Sequence, residues 1–365
     1  MNKNYALLTL FLYSFTFAQD GASASPYYNG FDWTLTGNNL KTQLSTKITS
    51  THTNTLTYSE AEKALQIVDV DPTDATKTNV LLVYGFSNNL CPSNSSDDND
   101  HRRRNKESDG GGATCQWNRE HVYAKSLGTP NLGETGPGAD AHHLRASDVQ
   151  RNSNRGSQKF EEGSGNSGNV SGGWYPGDEW KGDIARSMMY MYLRYGSRCL
   201  PKNVGNGSTV PTDTNMINLF LKWNAEDPVS QYEDNRNTYL GSASNNYGQG
   251  NRNPFIDNPY LATVIWGGPI AQNRWPTTIL STENFNLFAN VSIYPNPTNG
   301  QKINIETSAL IDEIQLININ GQVLQSIKKP VSNFQTYSVY NLTQGFYFVK
   351  LSSDNQSIIK KIIVN

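Results

Sequence analysis

CQWNREHVYAKSLG (115–128), followed by DAHHLRASDVQRNSNRGSQKF (140–160), is the part of this chain whose reading decides its fold. Glu120 and His121 stand near the end of a segment that reads as a strand, and AHHLRA (141–146) reads as a strand returning beside it. Ser147 and Gln150 have the S-x-x-Q spacing of a capping box, which opens a short helix carrying Arg151 and Asn152. Strand, connection, strand and helix in that order bring His121 and Asn152 together.

The side chains so gathered have a definite chemistry. Glu120 and the Asn152 amide oxygen are hard oxygen ligands, suited to Mg²⁺ or a similar cation that keeps several waters and completes its shell from a phosphate. His121 is a poor ligand for such a cation but a good general base, because an ordinary imidazole pKa of about 6.5 leaves it mostly neutral at pH 7. These are the parts of a one-metal phosphodiesterase. Strand geometry raises an objection: adjacent residues point to opposite faces, so Glu120 and His121 converge only at a strand end or a bulge. One of His142 and His143 is expected to face inward and hold Asp140 or a backbone carbonyl. Arg102, Arg103 and Arg104, in the charge run from His101 to Lys106, either steer a polyanion locally or form a solvated loop.

WNREHVYAKS and DAHHLRASDVQRNSNRG closely resemble the bacterial endonuclease I family, secreted or periplasmic nucleases built on the ββα-metal (His-Me finger) motif. WKGDIARSMMYMYLRYG (180–196), DPVS and QGNRNPFIDNP (249–259) extend the resemblance in family order over roughly residues 80–260. It implies an α+β fold with additional helices around the ββα-metal unit, the general base at His121 and metal ligands at Glu120 and Asn152. It also implies a phosphate contact from Arg155, and a base and ligand placed at a distorted strand end. Arg119 departs from the tryptophan that relatives carry before the Glu-His pair, leaving its role open. Asn251, Arg252 and Asn253 are either structural or part of a nucleic-acid groove.

Composition sets the outer bounds. The 365 residues carry 30 basic and 32 acidic side chains, a formal charge of -2, which excludes a nucleic-acid binder working by bulk positive charge and leaves only a local basic groove. All seven Trp lie at or before Trp275 and all five His at or before His143, so two modules are present. In the second, IDEIQLINI (311–319) and QVLQSI (322–327) flank Asn320-Gly321, a tight-hairpin signal. FYFVKLSS (346–353) and SIIKKIIVN (357–365) flank a second turn, completing a small all-β sandwich. IYPNPTNG (293–300), LTQGFYFVKL (342–351) and the terminal KKIIVN resemble the C-terminal sorting domain of the type IX secretion system. Residues 1–18 read as an export signal, with Lys3 before an apolar run and Ala18 at the cut. The expected organisation is a signal (1–18), a catalytic domain (19–275), a linker (276–284) and a sorting sandwich (285–365).

Local patterns complete the reading. A helix is expected from Tyr58 to Leu65, strands at QIVDV (66–70) and NVLLVYGF (79–86), and surface loops at the glycine-rich stretches 109–112 and 163–173. DIARSMMYMYLRYG (183–196) reads as a core helix behind an Asp183 N-cap. Cys91, Cys115 and Cys199 permit one bridge, and the spacing does not choose among the three pairings. The function expected is a secreted, monomeric, low-specificity endonuclease for DNA and RNA using Mg²⁺, Mn²⁺ or Ca²⁺, with no membrane span. The competing readings are a ribonuclease with little action on DNA and a non-catalytic nucleic-acid-binding surface protein.

Overall fold

The computed structural model describes residues 26–85, 102–113, 115–275, 288, 291–307, 309–332, 336–353 and 356–365. The export signal, Cys91 and the linker lie outside these residues. Helices α1 (Gly37–Thr51) and α2 (Tyr58–Val68) precede strands β1 (Asn79–Leu81), β2 (Arg103–Asn105), β3 (Trp117–His121) and β4 (Leu144–Asp148). Next come α3 (Val149–Arg155), the hairpin β5 (Gly168–Val170) and β6 (Gly173–Tyr175), α4 (Lys181–Tyr195) and α5 (Pro201–Val204). A second hairpin, β7 (Thr209–Val210) and β8 (Asp213–Ile217), leads into α6 (Asn218–Glu226), α7 (Gln231–Leu240), α8 (Pro254–Asp257) and α9 (Tyr260–Trp266).

The core explains the arrangement. In α4 every residue from Gly182 to Leu193 is buried, so this helix is the axis on which α1, α6 and α8 pack rather than an amphipathic surface helix. A fully buried Met or Leu side chain contributes about 1.5–3 kcal/mol, and Met188, Met189, Met191 and Leu193 all stand there. A second cluster joins Ala61, Ala64, Leu65 and Val68 of α2 to Trp117, Leu144 and Ala146 of the β3-β4 pair. The small alanines let the helix lie close on the sheet. Thr57 and Glu60 form a reciprocal capping box that fixes the start of α2.

Several local expectations are corrected. Gln66, Ile67 and Val68 continue α2, and only Val70 of QIVDV meets a strand, as a bridge to Val80. β1 stops at Leu81, and Tyr84 takes a left-handed φ of 71°. Asp183 is not the N-cap of α4; Trp180 holds that position, and the Asp227 carboxylate accepts from the Gly182 N–H at 2.8 Å. The stretch 163–173 is partly built into the β5-β6 hairpin. Arg103 and Arg104 belong to β2, and the three arginines are paired with Glu179, Asp71 and Asp148. Cys199 is a free, buried thiol.

The C-terminal module is all β. A three-stranded sheet of β9 (Ser292–Tyr294), β10 (Lys302–Glu306) and β13 (Thr336–Tyr340) runs in the order β13-β10-β9. A four-stranded sheet of β11 (Glu313–Asn318), β12 (Val323–Lys328), β14 (Gly345–Ser353) and β15 (Gln356–Val364) runs in the order β12-β11-β14-β15. Ile303, Ile305 and Val339 of the first meet Ile314, Leu316, Val349, Leu351 and Ile362 of the second in one core. Both expected hairpins are present, with Gly321 at φ 83° in the first turn, where a side chain would be strained.

Candidate active site

β3 and β4 pair antiparallel, and α3 follows β4 without a break. Trp117, Arg119 and His121 pair with Asp148, Ala146 and Leu144 on the face covered by α2. Asn118 and Glu120 pair with Ser147 and Arg145 on the other face, which α3 meets through Asn152 and Arg155. Glu120 and His121 thus leave the strand on opposite faces, as neighbours must. They still line one cleft of about 270 Å³, together with Arg119, Lys125, Asn152 and Arg155. No register shift interrupts the pair. Glu120 and His121 are the last two residues of the strand, so the geometric objection is met at a strand end without a bulge.

His121 is held at one ring nitrogen. Its Nε2 lies 2.9 Å from the carbonyl oxygen of Gly138, and a carbonyl only accepts, so Nε2 carries the proton and Nδ1 the basic lone pair. Burial pushes the imidazole down to about 3, with the neighbouring His143 adding to the effect. Gly138 lies in the 3-10 turn Gly136–Ala139, pressed so closely on Gly133 that a Cβ would run into the Gly133 carbonyl.

Glu120 is buried, and both of its side-chain contacts fall on Oε1. Its carboxylate accepts from the Tyr84 hydroxyl at 2.8 Å and pairs with Arg155 Nη1 at 3.1 Å. Burial raises its pKa, against which Arg155, the Tyr84 hydroxyl and the His121 N–H act. Asn152 donates from Nδ2 to Asn118 Oδ1 at 2.7 Å and to the Arg119 carbonyl at 3.4 Å. This orients the amide so that Oδ1 is the atom left for a ligand. Among the described residues no three His, Cys, Asp or Glu side chains gather around a common point. Glu120 and Asn152 offer one carboxylate and one amide oxygen, a set fitted to a hard divalent cation that keeps water and takes phosphate oxygens.

Arg155 is buried, and Nη1 and Nη2 donate to the carbonyls of His121 and Val122 at 3.0 Å each. The guanidinium therefore ties the end of β3 to α3 while it holds Glu120. The cap of α3 is Asp148, which accepts from the N–H groups of Gln150 and Arg151, not Ser147. The Ser147 hydroxyl donates instead to the Val83 carbonyl at 3.4 Å.

β4 begins at Leu144, so His142 and His143 sit in the preceding turn and do not alternate. Both are buried: His142 Nε2 meets the Asn251 carbonyl at 2.9 Å and His143 Nε2 that of Pro137 at 2.7 Å. Asn251, Arg252 and Asn253 are structural, bonding Tyr190, Asp257 and the start of α8. The sequence reading missed Tyr58, Tyr84 and Gly138. Tyr84 sits in a run that looks like plain strand, and only the sharp turn after β1 sends its hydroxyl to Glu120.

Comparison with protein families matches residues 36–260 to Endonuclease I. The chain belongs to the endonuclease I family. Residues 292–365 match the secretion system C-terminal sorting domain. Over 241 residues the chain is 39% identical to the extracellular ribonuclease of Bacillus amyloliquefaciens, covering 63% of this chain and 74% of that protein. Over 257 residues it is 39% identical to the extracellular ribonuclease of Bacillus subtilis (strain 168), covering 67% of this chain and 80% of that protein. A solved structure of PorZ, a surface component of the type-IX secretion system of Porphyromonas gingivalis, aligns at a TM-score of 0.18 and 16% identity, over 24% of this chain and 13% of its own. This endonuclease I family member is a secreted nuclease hydrolase with an α+β body and a β-sandwich sorting domain, acting on nucleic acid. Divalent-metal dependence is general in the family. No helix among the described residues is long and apolar enough to cross a membrane.

Proposed function

We propose that the chain is a monomeric, Mg²⁺-dependent endonuclease of low sequence specificity that hydrolyses phosphodiester bonds of DNA and RNA through a ββα-metal site. One observation carries this reading: Glu120, His121 and Asn152 share the wall of a single cleft, with His121 Nε2 bonded to Gly138. His121 Nδ1 takes the proton from an attacking water, and the Gly138 carbonyl keeps the ring in the tautomer that makes this possible. Glu120 and Asn152 Oδ1 would hold the cation, Mn²⁺ or Ca²⁺ being the alternatives. When bound, it supplies positive charge to offset that developing on the phosphate and the leaving 3′ oxygen. Arg155, on the wall of the same cleft, holds the Glu120 carboxylate and is the proposed phosphate contact.

The two relatives named as extracellular ribonucleases favour a second reading, preference for RNA over DNA. Incubating the purified protein with plasmid DNA and with structured RNA, each with Mg²⁺ or with EDTA, separates the readings. Cleavage of both only with Mg²⁺ is the expected result, cleavage of RNA alone supports the second, and cleavage of neither leaves a binding protein. Organisation follows the sequence: signal at 1–18, catalytic domain at 19–275, linker at 276–284, and a sorting sandwich at 285–365 read by the type IX machinery.

A further inference from the structure

Arg119 and His121 are two residues apart on β3, so their side chains leave the same face of the strand. Tyr58, the first residue of α2, touches both. Its ring stacks on the His121 imidazole at 5.6 Å between centroids and 26° between planes. The Arg119 guanidinium lies over the same tyrosine ring, Cζ 3.7 Å from the centroid. Arg119 is itself fastened to α2, donating to the Tyr58 carbonyl at 2.5 Å and pairing with Glu62 at 3.0 Å. Tyr58 is thus fixed by its own backbone, by the capping box before it and by a cation on its ring.

We infer that Tyr58, clamped by Arg119, is a positioning residue for the His121 imidazole. The inference rests on the general-base reading above. A single hydrogen bond from Nε2 to Gly138 leaves the ring free to swing about that contact. The tyrosine ring packed on its face removes this freedom, as the tilted His143 ring, 5.6 Å away, does from another direction. Tyr58 touches no reacting atom and is not on the wall of the cleft, whereas Arg119 is. The role of Arg119 is therefore to hold Tyr58, and the arginine next to Glu120 serves the base rather than the metal ligand.

The test is a double-mutant cycle on the full-length protein, reading kcat and KM on a defined oligonucleotide with Mg²⁺. Tyr58→Phe keeps the ring and should stay within about threefold of wild type, while Tyr58→Ala should lower kcat roughly ten- to a hundredfold with KM nearly unchanged. In the His121→Ala background the same substitution should cost nothing more, because the group it positions is gone. Tyr58→Leu, which keeps apolar bulk at the helix start, substitutes if Tyr58→Ala does not fold, with the same expectations. A loss that appears in KM would place Tyr58 in substrate binding and overturn the inference. An equal loss in both backgrounds would make the residue merely structural, and an unchanged kcat would also overturn the proposal. If His121→Ala is itself as active as wild type, the general-base reading falls, an outcome separate from the other three.

Discussion

His121 Nε2 and the Gly138 carbonyl oxygen stand 2.9 Å apart, and that contact decides which atom of the imidazole is basic. Gly138 can offer its carbonyl there only because it lacks a Cβ, which would collide with the Gly133 carbonyl. Gly138→Ala should therefore shift the turn and lower kcat by about tenfold or more, with little change in KM, since a misplacement of 1 Å can cost about 100-fold. Steady-state kinetics on a fluorogenic oligonucleotide check it, and an unaltered kcat would show that the contact does not orient the base.

The acid side of the pH profile should be displaced. Burial holds the His121 imidazole down near 3, so the free enzyme keeps its base neutral far below the ordinary value of about 6.5. In kcat/KM, activity should be nearly level from pH 7.5 to about 5.5 and fall only below that. An acid limb centred at 6.5 or above would contradict a buried neutral imidazole.

Stability should respond to acid in the same sense. His142 and His143 are pushed down to about 4 by burial, below their unfolded value, so the folded state binds fewer protons than the unfolded one. The stability they lend is whole above about pH 6.5 and drains as pH falls towards 4, by roughly 3 kcal/mol for each. Urea midpoints measured from pH 8 to 4 should drop across that window. A flat midpoint would mean these side chains ionise freely in the folded protein.

Removing Glu120 or Asn152 should act on the cation. Glu120→Ala and Asn152→Ala should each raise the Mg²⁺ or Mn²⁺ concentration needed for half activity, because each loses an oxygen donor from a set that has few. Arg155→Met should instead lower stability by about 3–5 kcal/mol, since it leaves the buried Glu120 carboxylate without its partner. A metal titration identical to wild type in both Glu120→Ala and Asn152→Ala would move the site elsewhere.

The tail should be dispensable for chemistry. The sandwich has its own core around Ile305, Leu316 and Val349 and contains no histidine. The fragment 19–283 should cleave nucleic acid at the rate of the full chain, yet remain in the periplasm of a cell equipped with the secretion machinery. Loss of activity, or normal release into the medium, would count against this division.

What the sequence disclosed is what depends on local order. The strand, returning strand and helix from Trp117 to Arg155 follow from residue pattern, and the Asn320-Gly321 hairpin from turn chemistry. What it concealed depends on contacts between distant segments. Asp227 caps α4 from 45 residues away, and no local pattern contains that. Periodicity assigned Gln66–Val68 to a strand because a short apolar run does not distinguish a strand from the buried end of a helix. Of the site, Glu120, His121 and Asn152 were legible through their chemistry and family resemblance. The partners that aim them, Tyr58, Tyr84 and the Gly138 carbonyl, were not, because a hydroxyl, a ring and a backbone oxygen carry no signature until the chain brings them near.

The central claim is that His121 is the general base, and cleavage measured beside binding for His121→Ala tests it most directly. The variant should bind a labelled oligonucleotide in Mg²⁺ about as well as wild type while cleaving it at least about 100-fold more slowly, since a general base acts on the transition state and not on the bound complex. Cleavage at more than about a tenth of the wild-type rate would contradict the account.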